Sequence, residues 1–162
     1  MHTALGWFTA FHTLLSLIAI VAGLVVIRDL MSGRTRSVAI TTFLVTAILT
    51  SATGFLFPFH GPTPAIAVGT IALIVLAWTL AARRSIGRSG FWTAQYPLGM
   101  VISEYFLVFV LVAQVFAKLP ALASLSQDIQ KPAFGAVQLI VLAVFVVIAI
   151  RTTRAFRVRA VA

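Results

Sequence analysis

The feature that most constrains this chain is where its charges are missing. No Asp, Glu, Lys or Arg precedes Arg28, and a second uncharged run extends from Ser37 to Ala82. A helix crosses the apolar core of a bilayer with about 20 residues at 1.5 Å each. The first run is one such helix. The second is too long for one and divides at His60-Gly61-Pro62-Thr63-Pro64, because proline lacks an N–H and pushes the preceding residue away from helix. Spans are therefore predicted at 4–27, 38–59, 65–82, 98–117 and 132–150, followed by a basic tail at 151–162. The fold class expected is all-α: a single transmembrane domain built as a polytopic bundle of five helices.

Composition agrees. The chain is 61% hydrophobic and 9% charged, against about 45–50% and about 25% in soluble domains. A soluble protein of 162 residues cannot bury that much apolar surface in one core. A soluble enzyme, a disordered tail and a soluble nucleic-acid binder are excluded. There is no cysteine, which removes disulfides, thiolate metal sites and thiol nucleophiles. All six prolines fall at predicted span ends or in loops. Trp7, Trp78, Trp92, Tyr96 and Tyr105 are read as lying near span ends, where amphipathic rings favour the headgroup level. A cleaved signal peptide starts with basic residues; here Arg28, Arg34 and Arg36 follow the apolar run, so the first span is expected to stay.

Basic residues outnumber acidic ones 12 to 3, a net charge of +9. Every arginine lies in 28–37, 83–97 or the tail, which alternate onto one side of five helices, while Lys118 and Lys131 lie on the other. Because basic loops stay in the cytoplasm, the N-terminus is expected outside and the C-terminus inside, in a multi-pass protein of a bacterial inner membrane. The charge is thus an orientation signal, and nucleic acid is not an expected partner. Arg151, Arg154, Arg157 and Arg159 are expected to contact anionic headgroups of the cytoplasmic leaflet. A membrane-protein partner or a second copy of the chain is the other partner expected.

Polar groups within spans mark interiors, pathways or sites. Thr9, His12, Thr13, Ser16 and Gly23 share one helical face, and Thr42, Thr46, Thr50 and Thr53 form a stripe; the plainer reading is that these faces pack the first two helices together. His12, Thr53, Gln114 and Gln138 lie at similar depths near the outer ends of their helices. They form either a pocket for a polar or protonatable ligand or a hydrogen-bond set that only fixes packing. Glu104 is the only acid inside a span. It is a candidate proton or cation site, or else a first-turn residue paired with Arg28, Arg83 or Arg151.

The chain has no phosphate-binding glycine loop, His-Glu-x-x-His, serine elbow or carboxylate pair, so no catalytic residue, metal site or cofactor is expected. Haem b is the alternative that histidine raises. Antiparallel neighbours, however, put His60 about 10 Å from the level of His12, too far offset to share one iron.

Two stretches carry a resemblance: Thr50-Ser51-Ala52-Thr53-Gly54-Phe55-Leu56-Phe57-Pro58-Phe59-His60, and Phe109 to Leu122 with its Gln114-x3-Lys118-x-Pro120-Ala121-Leu122 ending. In these, and from Ala82-Arg83 to Tyr96, the chain resembles a family of small bacterial inner-membrane proteins to which no activity is assigned. The family pattern has an apolar residue where this chain has Glu104, and Asn where it has Leu107. The resemblance therefore directs attention to Gln114 and His60 rather than to Glu104.

Three readings follow. The first is a non-enzymatic accessory or interaction subunit of a larger membrane assembly. The second is a small-molecule or ion-handling protein using His12, Thr53, His60, Gln114 and Gln138, or Glu104. The third is a b-type haem protein.

Overall fold

The structure, a computed structural model, describes residues 2–57 and 64–160, with side chains for 4–57 and 66–159. Those residues form helices and no strand. In chain order they are α1 (His2–Met31), α2 (Val38–Gly54), α3 (Pro64–Arg84), α4 (Gly90–Lys118), the single turn α5 (Pro120–Ala123) and α6 (Gln127–Ala160). α1, α3, α4 and α6 are each long and apolar enough to cross a membrane. α2, at 17 residues, is shorter.

α1, α3, α4 and α6 exceed their predicted spans because their ends continue past the apolar stretch, whereas α2 stops at Gly54, short of the predicted 59. α4 begins about two turns before Pro97 and α6 begins before Pro132, so both prolines lie inside helices rather than at their boundaries. Near a helix N-terminus a missing N–H leaves only one preceding carbonyl without its bond, which the helix tolerates. The basic segment 151–160 is likewise no separate tail; it continues α6. At 34 residues, α6 is about 51 Å long, more than the roughly 40–45 Å of a bilayer with its headgroups.

Two tight turns close the basic end of the bundle. After α1, Gly33 adopts φ +75°, and the Arg34 amide donates to the Asp29 carbonyl at 3.0 Å, a Schellman ending that needs a left-handed residue. Ser37 then caps α2, its hydroxyl accepting from the Ile40 amide at 3.1 Å. The α3–α4 turn repeats the device with Gly87 at φ +85° and Ser89 as the cap, accepting from Trp92. Asp29, buried at the end of α1, pairs with Arg34 at 3.2 Å. The Arg159 guanidinium donates to the Met31 carbonyl, which docks the end of α6 on the first turn.

α4 is the central helix, packed against α1, α3 and α6, while α2 bridges α1 and α3. The core gathers Ala22, Val26, Leu30, Ile40, Phe43, Tyr96, Met100 and Phe156 near the basic end. Tyr96 belongs to this core and not to an interfacial belt: it is fully buried, with its ring edge-on to Phe156 at 5.7 Å. Tyr105 also points inward, against Phe145.

Candidate functional site

Away from the basic end the helices separate. The first half of α1, the end of α2, the start of α3 and the second half of α4 enclose a cavity of about 540 Å³. That volume falls within the range of small-molecule sites. Its polar wall includes Thr9, His12, Thr13, Ser16, Gln114 and Lys118, and its deeper part is apolar, with Leu17, Ile20, Leu76, Phe106 and Leu107.

Helix periodicity sets the polar wall. Residues three and four apart on a helix share a face, so Thr9, His12, Thr13 and Ser16 project together from α1, and Gln114 and Lys118 from α4. The hydroxyls do not bond across the gap. Thr9, Thr13 and Ser16 donate to the carbonyls of Leu5, Thr9 and His12 at 2.8 Å. Each therefore satisfies its hydrogen within its own helix and turns oxygen lone pairs outward.

One side-chain bond does cross, between α1 and α2. Thr53 gives its hydrogen to the Leu49 carbonyl at 2.7 Å, so it accepts from the His12 Nδ1–H at 2.9 Å. In the neutral ring this leaves Nε2 as an acceptor. The Phe57 ring, edge-on to the imidazole at 5.1 Å, holds it from the side.

The predicted cluster is thus assembled in part. His12 and Gln114 line the cavity and Thr53 orients His12. Gln138 lies elsewhere, buried between α6 and α4, donating to the Phe109 carbonyl at 3.0 Å while its Oε1 has no partner among the described residues. His60 lies outside the described residues, as does the side chain of His2. No three His, Asp or Glu residues gather into a metal-sized group among the described residues.

Glu104 departs from one of its two expectations, that of a first-turn residue paired with an arginine. It stands near the middle of α4, far from the first turn, and its side chain is 1% exposed. Neither carboxylate oxygen has a hydrogen-bond partner among the described residues, so the predicted pairing with Arg28, Arg83 or Arg151 is not made. The carboxylate fills the space left by Gly23 of α1, where a Cβ would come within 2.0 Å of it.

The predicted fourth span stops at 117, one residue short of Lys118. In the structure α4 runs through Lys118, which puts it one turn beyond Gln114 on the same wall. That spacing of four was legible once the helix is extended to the first proline after it.

Compared with known proteins, the chain matches no family model, no curated protein and no solved structure. The site must be read from its own chemistry.

Proposed function

We propose that this chain is a non-enzymatic, multi-pass protein of a bacterial inner membrane that binds a small amphipathic molecule with an acidic head. Its five helices, α2 included, cross the bilayer with the N-terminus outside, and the arginine-bearing turns and the end of α6 face the cytoplasm. That orientation is supported by the confinement of every arginine to one end of the bundle. The cavity then opens toward the outer half of the membrane.

The observation that carries the reading is the polarity of the cavity wall. Lys118, Gln114 and His12 stand near one end, no acid is among the lining residues, and the remainder is largely aliphatic and aromatic. A weak carboxylic acid fits both protonation states: ionised, it meets the Lys118 ammonium; protonated, it donates to His12 Nε2. An apolar body occupies the space between Leu17, Leu76 and Leu107.

Titration of the purified protein in nanodiscs with decanoate tests this. Saturable binding is expected, weakened at least about tenfold in Lys118→Ala and abolished in Ala72→Phe, which fills the cavity from α3. Absence of saturable binding overturns the reading, as does binding that both variants leave unchanged. A stoichiometric protein partner retained in mild detergent, with no decanoate bound, returns the assignment to an accessory subunit.

A further inference from the structure

A second concavity lies on the opposite side of α4 and at the other end of the molecule. It is a groove of about 530 Å³ between α4 and α6. On α4 it is lined by Leu98, Val101, Ile102 and Tyr105, and on α6 by a stripe that runs through Leu142, Val146, Ala149 and Thr153 to Arg154 and Arg157. The spacing of three and four along both helices makes one continuous apolar trough, closed at its basic end by two guanidinium groups.

Three observations identify what this trough fits. From Leu142 to Arg157 it extends about 22 Å at 1.5 Å per residue. That is half of the roughly 40–45 Å thickness of a bilayer with headgroups, the reach of one lipid from acyl end to phosphate. Arg154 and Arg157 are exposed, and the one ion pair among the described residues, Arg34–Asp29, leaves both without an acidic partner. The Arg157 guanidinium stands beside Gly90 at the start of α4, 3.7 Å from where a Cβ would lie, so the positive end of that helix faces the same spot.

We infer that the α4–α6 groove is a specific site for one anionic phospholipid of the leaflet that holds the arginines. An acyl chain lies along Val146 and Ala149, and the phosphate is held between Arg154 and Arg157. The other two basic residues of this segment are not part of the site: Arg159 is engaged with the Met31 carbonyl, and Arg151 is not among the groove residues. A site of this kind differs from diffuse attraction to a charged membrane in having a stoichiometry.

Native mass spectrometry of the full chain, released from detergent containing phosphatidylglycerol or phosphatidylcholine, tests the assignment. One retained phosphatidylglycerol per chain is expected, with little phosphatidylcholine. Occupancy falls about tenfold or more in R154A/R157A. It falls also in Ala149→Phe, which blocks the acyl path and keeps both arginines. R84A/R88A, which removes two exposed arginines outside the groove, leaves occupancy unchanged. Equal retention of the two lipids overturns the proposal, and so does equal loss in R154A/R157A and R84A/R88A. Should Ala149→Phe fail to give a monodisperse protein, the arginine pair and its control still decide the question.

Discussion

The two ends of this bundle treat their glycines in opposite ways. Toward the basic end, a Cβ on Gly23 would lie 2.0 Å from the Glu104 carboxylate, one on Gly99 would lie 2.2 Å from the Thr79 hydroxyl, and one on Gly33 would lie 2.9 Å from Arg159. At the far end, Gly6 and Gly135 face open space, and Gly54 and Gly69 meet ordinary contacts at 3.8 and 3.4 Å. Among the described residues, glycines that a Cβ could not replace without a clash are therefore confined to the basic end, although Gly87 there meets nothing and Gly90 only an ordinary contact at 3.7 Å. Membrane helices associate through such contacts because lipid supplies no hydrophobic drive between them. The close-packed end holds the bundle together, and the looser end is free to enclose a cavity.

Five substitutions, one of them a control, probe that contrast from the largest effect to the smallest. Gly99→Val forces α3 and α4 apart where Thr79 is in the way, and is expected to destabilise by about 2–3 kcal/mol. The far-end counterpart Gly135→Ala meets nothing, and should be neutral or slightly stabilising through helix propensity. Thermal unfolding in nanodiscs compares the two; equal losses would erase the distinction between the ends.

Glu104→Leu comes next. A buried carboxylate with neither oxygen bonded carries its desolvation penalty in full. Exchanging it for an apolar side chain of similar size should stabilise by about 1–2 kcal/mol in the same assay. A loss of stability instead, together with stabilisation of the unsubstituted protein by an added cation, would place a second ligand site inside the packed end.

Ser37→Ala removes the α2 cap and should cost about 1 kcal/mol, read by the same unfolding measurement. His12→Ala removes the hydrogen bond to Thr53 and the edge-on contact with Phe57 on an open cavity wall and should cost about 0.5–1 kcal/mol, with a much larger effect on decanoate affinity. If His12→Ala proved as destabilising as Gly99→Val, the His12–Thr53 pair would be a packing element and the cavity wall a structural one.

Much of the fold was legible in the sequence. Charge-free runs and punctuating residues placed the five long helices but not the single turn α5, and the signals at the basic-end turns, Gly33 with Ser37 and Gly87 with Ser89, lie in local backbone chemistry that the charge pattern does not use. Pro97 and Pro132 were misleading as boundaries because proline limits only one bond of its own helix, and the amphipathic residues before them extend the helix outward. Tyr96 was misread for a related reason: an aromatic ring near a span end suits an interface or a core equally well, and only the arrival of Phe156 from α6 settles which.

The candidate site was legible to the degree that its residues share a helix. The face that joins Thr9 to His12, Thr13 and Ser16 follows from spacing, as does the step from Gln114 to Lys118. What spacing could not decide is which faces meet. Gln138, at a similar depth, turns to α4 and is lost to the cavity, while Thr53 reaches His12.

The sequence by itself determined that this chain is helical, apolar and charged at one end, because those properties depend on local backbone preference and on solvent. Only the tertiary structure placed α4 at the centre, and with it the burial of Glu104 against Gly23, the cavity on one side of α4 and the arginine-closed groove on the other. The order of helices around a bundle is set by side-chain fit between distant segments, and periodicity within one segment carries no record of its neighbours.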